Sequence, residues 1–229
     1  DRQSEAAYER LAAQYTSPVP QAEEGGMAED APAAGAGRQT AIEVDFAALQ
    51  QLNPEIVGWL CCEALGISLP VVQGQDNQFY LSHLADGSSN AHGAVFVEAA
   101  NRAGFADGNT ILYGHNMRDG SMFAPLVGYS SGRLYEKGLD IWLYTPAQDY
   151  RLLVFAGYTT VLSDADTYQI ISEPGEQLLA YWQACAGRSD FASQVQPAPQ
   201  DRIVLLSTCA HTWDSDERYV LFAVLRPCA

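Results

Sequence analysis

Two apolar runs near the end of the chain, Ile203–Leu206 and Tyr219–Leu225, constrain the fold more than any other feature. Each is short and bounded by polar residues, and the first opens on two β-branched residues, the pattern of a buried strand. The segment between them is polar, so the two strands read as neighbours joined by a loop. Cys209 stands at the far end of the first strand, and Arg218 stands nine residues later at the start of the second. Neighbouring strands thus hold a thiol and a guanidinium close together. Far upstream, the run Ile111–Tyr113 leads to His115, a third reactive side chain just past a strand end.

Further short β-type runs occur at Gly58–Cys62, Val71–Val72, Ala94–Val97, Thr110–Tyr113, Asp140–Tyr144 and Arg151–Thr160, broken by Gly, Asn, Asp and Ser. With Ile203–Thr208 and Tyr219–Leu225 they predict a mainly β fold of about eight strands, a closed barrel or a sandwich. One longer helix interrupts them over Glu176–Ala186, with Leu178, Leu179, Trp182 and Cys185 on one face, after Pro174 and Gly175. It falls between the sixth and seventh strands. Near the start of the folded region, Asp45 is placed to cap a helix containing Phe46, Leu49 and Leu52, and Pro54 to open a further turn. No internal repeat is visible.

A chain of 229 residues with 48% hydrophobic residues can build one sizeable core. The folded domain is expected over residues 41–229, starting near Ile42. Residues 1–40 divide into a short helix over Glu5–Tyr15, with Ala6, Ala7, Leu11 and Ala12 on one side, and a stretch rich in Ala, Gly, Pro and Glu. That second composition reads as a flexible linker. No run of about 18 apolar residues is present, so the sequence contains no membrane-spanning helix.

The net charge of −16, with only 12 Lys and Arg, argues against nucleic-acid binding, because no basic stripe exists to neutralise phosphates. It also disfavours direct attachment to anionic lipid. The five cysteines are Cys61, Cys62, Cys185, Cys209 and Cys228. Cys61 and Cys62 are adjacent, with Cα atoms about 3.8 Å apart, below the usual disulfide range. They read as two reduced residues, one facing in and one out. The pattern is no disulfide framework and leaves Cys209 as a free thiol.

Taken singly, a cysteine in an apolar neighbourhood is an ordinary core residue, and a lone histidine is commonly structural. The surrounding residues change that. Leu205-Leu206-Ser207-Thr208-Cys209, Tyr113-Gly114-His115-Asn116-Met117 and Arg218 on the next strand resemble the signature of the sortase family, with Leu205 where threonine is commoner. Leu52-Asn53-Pro54-Glu55-Ile56-Val57-Gly58-Trp59-Leu60 and Pro70-Val71-Val72-Gln73 are similar to its class B branch. So are Asp76-Asn77-Gln78-Phe79-Tyr80-Leu81, Gly93-Ala94-Val95-Phe96-Val97 and Met122-Phe123-Ala124-Pro125-Leu126. The likeness runs in consistent order over about residues 42 to 226.

The resemblance implies a closed eight-stranded sortase-type β-barrel with N-terminal helices and a helix between the sixth and seventh strands, a class B feature. It also implies a cysteine transpeptidase that cuts a sorting signal on a secreted protein and joins it to a peptidoglycan or pilin amine, with no cofactor. Cys209 would be the nucleophile, His115 the acid and base, and Arg218 the oxyanion partner. Asn77, Leu81, Tyr113, Tyr168, Ser207 and Thr208 would meet the substrate. Such enzymes sit at the extracellular face of the cell membrane on an N-terminal anchor, which would precede residue 1 here.

Rival readings come from the same residues. Cys209-Ala210-His211 can begin a zinc site completed by His115 or Asp214, although no Cys-x-x-Cys or His-Glu-x-x-His pattern supports one. His211 is also an alternative acid and base to His115, while His83 and His92 read as surface or core residues. Arg218 can instead pair with Asp214, Asp216 or Glu217. An L,D-transpeptidase would need a Ser-His-Gly-Cys type motif, which is absent. A non-catalytic binding domain with Cys209 merely buried is the remaining alternative.

Overall fold

The computed structural model describes residues 2–19, 42–209 and 216–228, and for Cys209 its backbone. Eight strands close into a barrel: β3 (Ile56–Cys62), β4 (Ile67–Val72), β5 (Val95–Val97), β6 (Asn109–Tyr113), β7 (Trp142–Tyr144), β8 (Tyr150–Val161), β9 (Ile203–Cys209) and β10 (Glu217–Pro227). Around the barrel the order is β10-β8-β7-β3-β4-β5-β6-β9. Every barrel strand expected from the sequence is present. Outside it lie α1 (Arg2–Tyr15), a small pair of β1 (Thr16–Pro18) with β2 (Ile42–Val44), α2 (Phe46–Leu52), α3 (Arg133–Glu136) and α4 (Glu176–Gly187). As expected, α4 lies between the sixth and seventh barrel strands.

Local chemistry explains these elements. Asp45 caps α2, its Oδ1 accepting from the Ala48 N–H at 2.9 Å. β9 and β10 read as continuous apolar runs because both of their faces are covered. Val204, Leu206, Leu221, Ala223 and Leu225 join the main core, while Ile203, Leu205, Val220, Phe222 and Val224 pack with Leu178, Tyr181 and Cys185 of α4. Buried strands of this kind lose the polar alternation of a half-exposed sheet.

Two details depart from the sequence reading. Cys61 and Cys62 are free and both buried. Alternation still sends them to opposite faces, but helices pack on this side of the barrel and each face is covered. Thr16–Pro18, placed in the linker by composition, pairs with Ile42–Val44. Residues 20–41 lie outside the described residues. Among the described residues no helix is long and apolar enough to cross a membrane.

α1 docks through Tyr8, 7% exposed, whose hydroxyl donates to the Gly93 carbonyl at 2.5 Å. Gly93 has φ +57, and a Cβ there would lie 2.4 Å from the Tyr80 carbonyl oxygen and 2.9 Å from that of Leu81. Only glycine fits that close approach. Gly93→Ala is expected to cost about 3 kcal/mol or more. Gly66→Ala, at φ +64 with open space around it, should cost about 1 kcal/mol. Denaturant midpoints of the two variants check this, and equal losses would contradict it.

Candidate active site

Barrel topology gathers the three candidate reactive positions at one end. β6 runs parallel to β9 with Tyr113 beside Ser207, and β10 runs antiparallel to β9 with Arg218 directly opposite Cys209. The Gly114 N–H continues the ladder by donating to the Ser207 carbonyl at 3.1 Å. Extending both parallel strands by one more pleat sets the His115 backbone level with Cys209. The ends of β6 and β9 and the start of β10 are therefore adjacent, with strands about 4.8 Å apart.

The segment after β6 is held firmly. The His115 carbonyl accepts from the Phe123 N–H at 2.9 Å, and Asn116 bridges to Met122. A Cβ on Gly114 would fall 2.7 Å from the Phe123 ring, so glycine lets that ring pack over the turn. His115 is half-buried, and its Nε2 lies 2.9 Å from the Leu81 carbonyl oxygen. A carbonyl can only accept, so Nε2 carries a proton and Nδ1 is the nitrogen left to take or give one.

Here the surface opens into a cleft of about 350 Å³ lined by Asn77, Leu81, Phe96, Tyr113, Gly114, His115, Leu162, Ser207, Thr208 and Arg218. Arg218 is half-buried, and one of its Nη1 hydrogens is donated to the Glu217 carbonyl at 3.0 Å. Leu81 and Leu162, 44% and 49% exposed, form an apolar rim. Thr208 is buried, and its hydroxyl has no hydrogen-bond partner among the described residues. Tyr168 stands behind the wall: its hydroxyl is 2.8 Å from Ser207 Oγ, and its ring stacks on Tyr113 with centroids 6.4 Å apart. Burial first, and then the nearby Glu98 carboxylate, push the Tyr113 phenol up, so it stays protonated.

The loop that carries Tyr168 is clamped from below. Arg188 donates to Asp164 Oδ2 at 2.8 Å and lies 4.3 Å over the Tyr158 ring. The same Oδ2 accepts from Thr160 at 2.6 Å and Thr167 at 2.9 Å. The Thr160 hydroxyl foremost, with Arg188 and Thr167, holds the Asp164 carboxyl well below its usual range. The clamp ties this loop to β8 and the end of α4.

A family model for the sortase domain matches residues 60–226. The chain belongs to the sortase family. Sortase B of Listeria monocytogenes is 37% identical over 171 residues, 70% of this chain and 65% of that protein. The match thus spans just under two thirds of the Listeria sortase. A Bacillus anthracis protein described as similar to sortase B has a solved structure with TM-score 0.76 at 28% identity, covering 100% of this chain and 96% of that one. A Staphylococcus aureus sortase B–substrate complex gives 0.74 at 29% identity, covering 81% and 86%. The chain is a sortase B-like protein.

Of the residues singled out in sequence, this sortase fold brings Asn77, Leu81, Tyr113, His115, Ser207, Thr208 and Arg218 to one cleft, and Tyr168 to its back wall. The Cys209 backbone follows Thr208 at the end of β9, opposite Arg218. His211 and Asp214 lie outside the described residues. His92 is buried with Nε2 3.4 Å from Asp119 Oδ2, and His83 stacks on Phe79 at 3.9 Å. Among the described residues no group of three or more His, Cys, Asp or Glu is arranged to hold a metal ion. Sequence reading missed Phe96, Leu162 and Glu98. The last of these ends the Gly93–Val97 run, and its position there was the one available signal.

Proposed function

We propose that this chain is a class B-like cysteine transpeptidase working at the extracellular face of the cell membrane. It cuts a C-terminal sorting signal after threonine and passes the new C-terminus to a peptidoglycan or pilin amine. The observation that carries this reading is the strand register: Cys209 ends β9 opposite Arg218 near the start of β10, and β6, parallel to β9, leads to His115 in the cleft.

The steps use side chains alone. The Cys209 thiolate attacks the threonine carbonyl carbon, and the carbonyl π electrons move onto oxygen. Arg218, permanently charged and able to donate two hydrogen bonds, stabilises that oxyanion. Collapse breaks the C–N bond, and protonated His115 gives its proton to the leaving amine, leaving a thioester. The acceptor amine then attacks the thioester, His115 takes its proton, and the thiolate departs. A free thiol near pKa ~8.5 is mostly neutral at pH 7, so an imidazolium neighbour is what makes the nucleophile available.

The cleft suits an extended peptide. Leu81 and Leu162 offer apolar contact at its rim, while Asn77, Tyr113 and Ser207 offer polar contact at its floor, with Thr208 beside the nucleophile. Similarity to a Staphylococcus aureus sortase B–substrate complex supports substrate binding by this fold. The test is incubation with Asn-Pro-x-Thr-Asn and Pro-x-Thr-Gly peptides, comparing wild type with Cys209→Ala. Release of the fragment after threonine by wild type alone is expected. Turnover that survives Cys209→Ala would rule the mechanism out.

A further inference from the structure

We infer that Glu98 is a positioning residue, holding Asn77 and Tyr113 in one arrangement and fixing the direction of the Tyr113 hydroxyl proton. This rests on the proposed activity, since it concerns how the cleft receives its peptide. Glu98 does not line the cleft itself; it stands behind two residues that do.

Its backbone is set by the barrel. Directly after β5, the Glu98 N–H donates to the Ile111 carbonyl at 2.9 Å, continuing the β5–β6 ladder. Both oxygens of its carboxylate are engaged. Oε1 accepts from Asn77 Nδ2 at 2.6 Å and from the Ala100 N–H at 3.2 Å, and Oε2 accepts from the Tyr113 hydroxyl at 3.0 Å. The Asn77 amide is orientated from its other end as well, Oδ1 accepting from the Ala99 N–H at 2.8 Å. One carboxylate thus ties a loop residue 21 positions before it to a strand residue 15 positions after it.

The chemistry has a consequence for specificity. A phenol has one proton, and Tyr113 gives it to Glu98. Towards the cleft the Tyr113 oxygen then offers lone pairs only. A peptide group meeting it must be a donor, a backbone or side-chain N–H, and a peptide carbonyl is rejected there. Glutamine at position 98 keeps the shape but replaces one acceptor oxygen by an NH2 donor. Either that NH2 faces the Asn77 donor, or it donates to Tyr113 and turns the phenol proton into the cleft. The first arrangement loses the links to Asn77 and Ala100, and the second keeps every link but reverses the Tyr113 hydroxyl.

Steady-state kinetics test this with whichever of the two signal peptides wild type cleaves, in Glu98→Gln, Glu98→Ala, Tyr113→Phe and the double variant Glu98→Gln/Tyr113→Phe. Glu98→Gln is expected to fold normally and lose about 10-fold in kcat/KM, mainly through KM, with Glu98→Ala losing more. The Glu98→Gln effect should shrink in the Tyr113→Phe background, because a shared partner is already gone. Wild-type KM and kcat in Glu98→Gln would overturn the inference, as would losses that simply multiply in the double variant. Cys209→Ala, assayed alongside, separates the two claims. Retained turnover there removes the proposed mechanism, whereas a normal Glu98→Gln beside an inert Cys209→Ala removes only the role of Glu98. A wild type inert with both peptides overturns both.

Discussion

Arg218→Ala is expected to lower kcat/KM for signal-peptide cleavage by about 10³-fold, the upper end of what one lost oxyanion donor costs. The reason lies in the register. Arg218 faces Cys209 across the β9–β10 ladder, and side chains of directly opposed residues start only about 5 Å apart. A charge there is felt by the tetrahedral oxygen far more than by the ground-state carbonyl, so the loss should fall on kcat. Arg218→Lys keeps the charge but not the planar fork, and about a 10²-fold loss is expected. The ladder itself is made by backbone groups, so folding should survive either change. Initial cleavage rates of purified variants provide the check. An unchanged rate in Arg218→Ala would remove the oxyanion role and leave Arg218 as a structural ion-pair partner.

The second large effect is expected at His115. Replacing it by alanine removes both the cation beside the thiolate and the proton donor for the leaving amine, and about a 10³- to 10⁴-fold loss follows. Two readouts should move together. Cleavage should fall, and iodoacetamide alkylation of Cys209 at neutral pH should slow as the thiol returns towards its ordinary pKa of ~8.5. Peptide hydrolysis and adduct formation, each followed by mass, measure these separately. A mild effect in His115→Ala combined with a severe one in His211→Ala would transfer the acid and base role to His211.

Most of the barrel is legible in the sequence because its strands are buried on at least one face. Ile203–Leu206 and Tyr219–Leu225 stand out since the main core and α4 cover them from both sides. α4 is visible through its 3.6-residue apolar period. The β1–β2 pair is not, because Thr16, Ser17 and Pro18 have no strand pattern and gain one only by meeting Ile42–Val44 across a long separation. The burial of both Cys61 and Cys62 is hidden for a related reason. Alternation is local, but the cover on each face comes from elsewhere in the chain.

The site divides in the same way. His115, Cys209 and Arg218 are visible because each lies in a distinctive run of neighbours at a strand end. Glu98 is one of 28 acidic residues, and only its place directly after Val97 marks it locally. Its importance comes from Asn77 and Tyr113, which only the folded barrel brings to its two oxygens. Motifs reveal the atoms that react, whereas the residues that aim them depend on contacts between separate elements.

The most direct measurement is intact-mass spectrometry of the protein quenched during incubation with a Thr-Asn or Thr-Gly signal peptide. A thioester adduct carrying the peptide up to its threonine is predicted, mapped to Cys209, absent from Cys209→Ala and discharged by an added amine. An unmodified Cys209 under conditions in which the peptide is cut would contradict a thioacyl-enzyme. An uncut peptide together with a thiol that resists iodoacetamide would make this barrel a binding domain.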